Sequence, residues 1–205
     1  MRHHSPSAVI TGDFVASAEI GPAALDAAMR VLAEAAGEMA RWAGGPLHFT
    51  RNRGDGWQVC LARPGFDLRA ALIFRARLRR DTAQWETRAG LARGPVTLGA
   101  GDLNSASGPA FVASGRALDA IARPALWAHA DGGALAAATR LADHLSQGWT
   151  RAQARALAPM LVPDPPTHAT VAEALGISRQ AVSQALDAAG FDAIATALAL
   201  IETEA

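Results

Sequence analysis

Apolar residues in the first part of this chain alternate between short extended runs and helical spacings; past Gly133 only the helical spacing remains. Ala8 to Thr11 (AVIT) is a short, apolar, partly β-branched run closed by Gly12, the pattern of a buried central strand. Pro22 then opens a long helix with Leu25, Met29, Leu32, Ala36 and Met39 at spacings of three and four, ending near Gly44 and Gly45. Leu47 to Asn52 and Trp57 to Ala62 are predicted strands, joined by a turn at RGDG. A second helix follows from Phe66 to Arg80, with Leu68, Leu72, Phe74 and Leu78 inside, and Thr87 to Arg93 is a fourth strand. Past a glycine-rich passage, a third helix runs from about Pro109 to Ile121, and a short strand falls around Ala125 to Ala130. Strand, helix, strand, strand, helix, strand is the order of a ferredoxin-like split βαβ unit.

The remainder is helical. Leu135 to Leu145 and Arg151 to Leu161 are two helices with Trp149 between them, and a proline cluster (Pro159, Pro163, Pro165, Pro166) stops propagation. Phe191, Ile194, Leu198 and Ile201 line one side of a last helix. The expected fold class is therefore α+β: a ferredoxin-like βαββαβ domain over residues 1–131, followed by an all-α domain over 132–205.

Within the helical part, THATVAEALGISRQAVSQAL (Thr167 to Leu186) reads as two short helices crossed about a glycine turn. Val171, Ala172 and Leu175 form one inner face, Gly176 makes the turn, Ile177 fills the corner, and Val182 and Leu186 give the second helix an inner stripe. Ser178 is placed to N-cap that helix, leaving Arg179, Gln180, Ser183 and Gln184 outward near its start. The segment resembles the bacterial helix-turn-helix family, in which this position enters the major groove of double-stranded DNA and such side chains reach base edges and phosphates. Charge argues the other way: beyond Arg140 stand only Arg151, Arg155 and Arg179, against Asp143, Asp164, Glu173, Asp187, Asp192, Glu202 and Glu204. Duplex affinity rests largely on neutralised phosphates, so a dimer or arginines elsewhere would have to supply it.

Composition narrows the class. The chain has 205 residues, half of them hydrophobic and 19% charged, with a formal net charge of +0, which excludes a disordered tail and a polybasic nucleic-acid coat. One cysteine, Cys60, excludes an internal disulfide and a cysteine-rich metal site and suits a reducing compartment. No apolar segment is long enough to span a bilayer and MRHHSPS lacks a signal-peptide core, so a cytoplasmic protein is expected, with His3 and His4 on a frayed terminus. The histidines His48, His129, His144 and His168 show no ligand spacing. Arg69, Arg75, Arg77, Arg79 and Arg80 crowd the second helix and are expected on a solvated face, with a phosphate-gripping surface as the alternative.

Two Gly-Asp pairs carry the candidate chemistry of the front half. First and third strands of a ferredoxin-like sheet are antiparallel neighbours, so Asp13, closing one, and Asp55, at the turn opening the other, converge at one sheet edge. Two convergent carboxylates suit Mg²⁺ holding a nucleoside triphosphate. Asp55 in RGDG equally suits a hairpin turn, and Asp13 a cap after a strand.

AVITGDF, RGDGWQV and GPAFVASGRALDAI resemble the first metal strand, the metal hairpin and the late helix of class III nucleotide cyclases. The chain as a whole resembles the SatD family of bacterial proteins, which joins a cyclase-like front half to a C-terminal helix-turn-helix. The resemblance implies that Asp13 and Asp55 fall on the metal-binding aspartates and Arg116 on the arginine that steadies phosphates. It puts Arg51 where a base-reading lysine is usual, and Val112 where an asparagine holds the ribose, a hydrogen bond valine cannot make.

The function expected from these readings is a homodimeric DNA-binding transcriptional regulator with a degenerate cyclase-like sensing or dimerisation domain, no catalytic residues, and groove contacts from Ser178, Arg179, Gln180, Ser183 and Gln184. One alternative is a nucleotide-binding protein or phosphoryl-transfer enzyme with Mg²⁺ at Asp13 and Asp55 and phosphate contacts from Arg51 and Arg116. The other is a protein–protein interaction module.

Overall fold

Strand β1 (Pro6–Phe14) is apolar on both sides, with Ala8, Val9 and Ile10 fully buried, and such a strand can only lie inside a sheet. In the computed structural model, which describes residues 6–45, 47–52, 54–82, 85–99 and 103–204, it is the central strand. Its neighbours are β3 (Gly56–Leu61) and β4 (Thr87–Pro95), both antiparallel to it. Strand β2 (Leu47–Asn52) pairs with β3, and β5 (Trp127–His129) adds parallel to β4, giving the order β2-β3-β1-β4-β5. The first four strands are the expected split βαβ unit. His3 and His4 lie outside the described residues.

Strand alternation sorts the two faces. Ala8, Ile10 and Phe14 look toward α2 (Pro22–Met39) and α3 (Asp67–Asp81) and join the main apolar core. Val9 and Cys60 look the other way, toward α4 (Pro109–Asp119), with Val96, Leu103 and Ala110. Burial pushes the Cys60 thiol up to about 11, against a lowering hydrogen bond with Ser7, so it is a packing group rather than a nucleophile. Gly12 does not end β1; it lies within the strand because the Trp57 indole packs over it, and a Cβ there would meet the ring at 2.4 Å. Gly90 in β4 serves the other face, where a Cβ would stand 2.1 Å from the Ser114 carbonyl oxygen of α4. A side chain at Gly90 would push α4 off the sheet.

Helix α3 departs from expectation. Its arginines do not form a solvated face, because the C-terminal helices close over it: Arg69 is 7% and Arg75 4% exposed. Arg75 donates to the Asp143 carboxylate (2.9 Å) and carbonyl (3.0 Å) and to Ser146 Oγ (2.6 Å), and stacks 3.7 Å above the Trp127 ring. Burial pulls its guanidinium down to about 10, still a cation at neutral pH. Arg69 grips Glu202 with two nitrogens and the Leu161 carbonyl with a third. These partners come from α5 (Gly133–Gln147), α9 (Phe191–Thr203) and the end of α6 (Arg151–Met160).

The helical half shares the apolar core of the sheet half, a single cluster reaching from Ala8 to Leu198. Thr150 and Gln153 form a reciprocal capping box at the start of α6. Pro159 lies inside α6 instead of ending it, in the last turn, and the helix stops at Met160. Helix α7 (His168–Leu175) ends on Gly176 in the left-handed conformation, and α8 (Arg179–Ala188) buries Val182 and Leu186 as the spacing predicts.

At the start of α3, Asp67 is fully buried and accepts from the Leu68 amide, two Arg93 nitrogens and His129 Nε2. Burial alone would raise its pKa, but the hydrogen bonds and charges of Arg93 and His129 outweigh it and hold the carboxyl below its ordinary 3.8. A depressed carboxylate stabilises the fold above its unfolded pKa, and that contribution is lost as pH falls through the folded value. Asp67→Asn should cost about 3 kcal/mol at pH 7 in urea unfolding, and the gap to wild type should narrow as pH falls below that ordinary value. Equal gaps at both pH values would reject this account. Gly90→Ala should cost about 3 kcal/mol by overpacking, whereas Gly115→Ala, inside α4 with open space around its Cβ, should stabilise by about 0.5–1 kcal/mol.

Candidate functional site

Register decides which candidate side chains meet. Asp13 lies opposite Gly56 of β3, so Asp55, at the preceding turn position, comes to the same end of the sheet. Asp13 and Thr11 point to the α4 face, where Thr11 Oγ1 hydrogen-bonds Ser114 Oγ (2.8 Å) and accepts from Gln58 Nε2 (3.3 Å). Arg51 pairs in register with Trp57 and therefore points to the opposite face. There it donates to Asp26 of α2 (2.6 Å) and to the Gly54 carbonyl (2.8 Å). Arg116 is exposed on the flank of α4, along an open groove of about 720 Å³ with Val112, Ala113, Ala128 of β5 and Ala130 just beyond it. The four expected residues thus reach three places, and only the two aspartates share one.

A residue absent from the sequence expectation completes that place. Arg88 of β4 stands directly across from Asp13. Its Nε donates to Asp13 Oδ1 at 2.9 Å and its Nη2 to Oδ2, a two-pronged pair on adjacent strands. The Asp13 hydrogen bond holds the guanidinium above the ordinary arginine pKa; slight burial opposes this, and the charges of Asp13, Asp119 and Asp55 reinforce it. Period-two patterning marks Thr87–Arg93 as a strand, but only its register with β1 brings Arg88 to Asp13.

Beside the pair opens a pocket of about 260 Å³. It is lined by Phe14, Val15 and Ala16 at the end of β1, by Ile121 and Arg123 between α4 and β5, and by Arg88. Ala16 holds φ 52° and ψ 40°, a left-handed conformation that costs a non-glycine residue about 1–2 kcal/mol. It caps the short helix α1 (Ser17–Ile20). Backbone strain at the rim of a pocket is a mark of functional sites. Chemically, the pocket offers two guanidiniums over an apolar wall, which matches an anionic group carried on a flat or apolar body.

A resident Mg²⁺ fits these residues poorly. Both Asp13 oxygens are engaged by Arg88, and among the described residues no three His, Cys, Asp or Glu side chains gather as a metal set. Magnesium needs near-octahedral oxygen ligands and carboxylates open to it.

In the helical half, Ser178 caps α8, its Oγ accepting from the Ala181 amide at 3.1 Å. Arg179, Gln180 and Gln184 are exposed, while the Ser183 hydroxyl is turned to His168 Nδ1 at 3.0 Å. Arg179 is the one arginine of α7, α8 and α9, against Glu173, Asp187 and Asp192, with Glu202 paired to Arg69. Among the described residues, no single helix is long and apolar enough to cross a membrane.

Comparison with protein-family models finds no match, and comparison with curated proteins finds none. Among solved structures, the chain is similar to a dimeric guanylyl cyclase domain of the RhoGC fusion protein from the aquatic fungus Blastocladiella emersonii. The identity is 19% and the TM-score 0.42, covering 57% of this chain and 75% of that one. A bacterial light-regulated adenylyl cyclase is similar at 18% identity and TM-score 0.45, covering 60% of this chain and 42% of that one. The guanylate cyclase domain of RhGC from Catenaria anguillulae, in complex with GTP, is similar at 19% identity and TM-score 0.41, covering 57% and 74%. The likeness is one of fold.

The expected DNA-binding transcriptional regulator is corrected here. The solved folds that this chain resembles are nucleotide cyclase domains. Acids outnumber cations across α7, α8 and α9, the helices that carry this surface, and two of its five expected contacts, Ser178 and Ser183, are already engaged within the protein. Phosphates approaching it would meet more repulsion than neutralisation.

Proposed function

We propose that this protein binds a nucleotide in the pocket at the end of β1, as a recognition site rather than a cyclising one. The observation that carries the reading is the convergence of Arg88 and Arg123 on one 260 Å³ pocket with an apolar wall. Two guanidiniums suit phosphate oxygens, and Phe14, Val15 and Ile121 supply the surface a base or ribose edge would cover. The volume accepts one end of such a ligand and leaves the rest in the open mouth.

Cyclisation is not part of the proposal. Val112 is 53% exposed on α4 and offers no hydrogen bond to a ribose, and Arg51 is committed to Asp26 on the far face. Two parts of the sequence reading are carried within the proposal: SatD-like architecture, with units over 1–131 and 132–205, and homodimerisation, which sedimentation of the full chain checks.

Titration calorimetry of the full chain with ATP and with GTP tests the reading. Arg123→Ala should weaken nucleotide binding about tenfold, the loss of one charge-assisted contact or about 1.4 kcal/mol. Arg51→Ala and Arg116→Ala should leave affinity within about twofold, since neither residue lines this pocket. Absence of binding by either nucleotide, or dependence on Arg116 instead of Arg123, would overturn it.

A further inference from the structure

The sheet edge where two aspartates gather already holds a cation, and it is part of the chain. We propose that Arg88 takes the place of a divalent metal at Asp13 and presents its charge to the ligand's phosphate, so that the site binds its nucleotide without metal. This rests on the reading of the pocket as a nucleotide site, and it adds that the charge complement is covalently built in.

The geometry is specific. Asp13 and Arg88 are register partners on adjacent antiparallel strands, so their approach is set by the sheet and not by side-chain chance. The guanidinium meets the carboxylate in a fork, one nitrogen to each oxygen, which consumes the acceptor pair a metal would need. The arginine side chain is 40% exposed and lines the same cavity as Arg123, and the fork to Asp13 leaves it N–H groups to spare for a ligand. Asp55 and Asp119 lie close enough to reinforce the arginine's charge, whereas His129 and Asp131 lie toward the other end of β4, beside Leu91 and Arg93. A divalent ion entering here would first have to expel a guanidinium from a paired strand before it could reach the Asp13 carboxylate.

Displacing that cation chemically is the test. Binding of Mn²⁺ alone to the full chain, followed by electron paramagnetic resonance, should be absent in wild type. It should appear in Arg88→Gln, and vanish again when Asp13→Asn is added to Arg88→Gln. This arm needs no nucleotide, so it decides the inference even if the pocket proves not to be a nucleotide site. In the second arm, ATP and GTP affinities of wild type should agree within about twofold in EDTA and in excess Mg²⁺, and Arg88→Gln should lose about tenfold in EDTA. Should Arg88→Gln not fold, Arg88→Lys keeps the charge but loses the fork, and is expected to weaken metal-free binding while still excluding Mn²⁺. Mn²⁺ bound by wild type through Asp13, no Mn²⁺ bound by Arg88→Gln, or nucleotide affinity that collapses in EDTA would each overturn the proposal. Nucleotide silence in both buffers would instead overturn the proposed function.

Discussion

The buried pair of Arg75 and Asp143 is the constraint on which the rest of the architecture depends. A buried carboxylate is tolerated only when its oxygens are engaged, because the ion alone would cost several kcal/mol. Here the carboxylate receives Arg75, the Leu126 amide, Gln147 and Arg140, and the guanidinium adds the Trp127 ring. Those partners come from α3, from the chain entering β5 and from α5, so the pair can form only when sheet and helices are docked in one arrangement. Arg69 with Glu202 repeats the device at the other end of α3. An apolar helix in the same position could slide; one carrying these ions has one seat.

That seat has a consequence for the site. With α3 and the helical half covering one face of the sheet, the opposite face is left to α4, which lies close enough over β4 to require Gly90. The end of β1 beyond α4 is where polar groups can reach solvent and a pocket can form. Asp13, Arg88 and Arg123 lie there, and the strained Ala16 turns the chain away from it. The same chemistry, an aspartate–arginine pair, therefore locks the molecule where it is buried and equips it where it is half exposed.

Much of this was legible in the residues. Period and punctuation identified the strands and helices of the sheet half, and the split βαβ topology alone brought Asp13 and Asp55 to one end. Illegible were the pairings that depend on register and on docking. Arg88 reads as one more strand arginine until β4 is set against β1. Arg51 differs from Asp13 by a single step of alternation, enough to put it on the other face beside Asp26. Arg69 and Arg75 look solvent-bound because charge at helical spacing usually is; only the acids of α5 and α9, more than sixty residues away in sequence, reverse that. Two short helices stand on either side of Gly176 as their spacing predicts, but local geometry does not carry a partner, and acids outnumber cations across these helices.

A guanidinium in a metal's place changes what a site can do. A divalent ion concentrates charge on a point, draws electron density from a phosphoryl oxygen and activates a nucleophile. A guanidinium spreads one charge over a plane, fixes direction through its N–H groups and stays protonated throughout. Arg88 can therefore orient and neutralise phosphate oxygens, but it cannot lower the pKa of an attacking hydroxyl. Under the proposed function, Val112 and a fixed ion pair at Asp13 make a site that recognises a ligand without cyclising it.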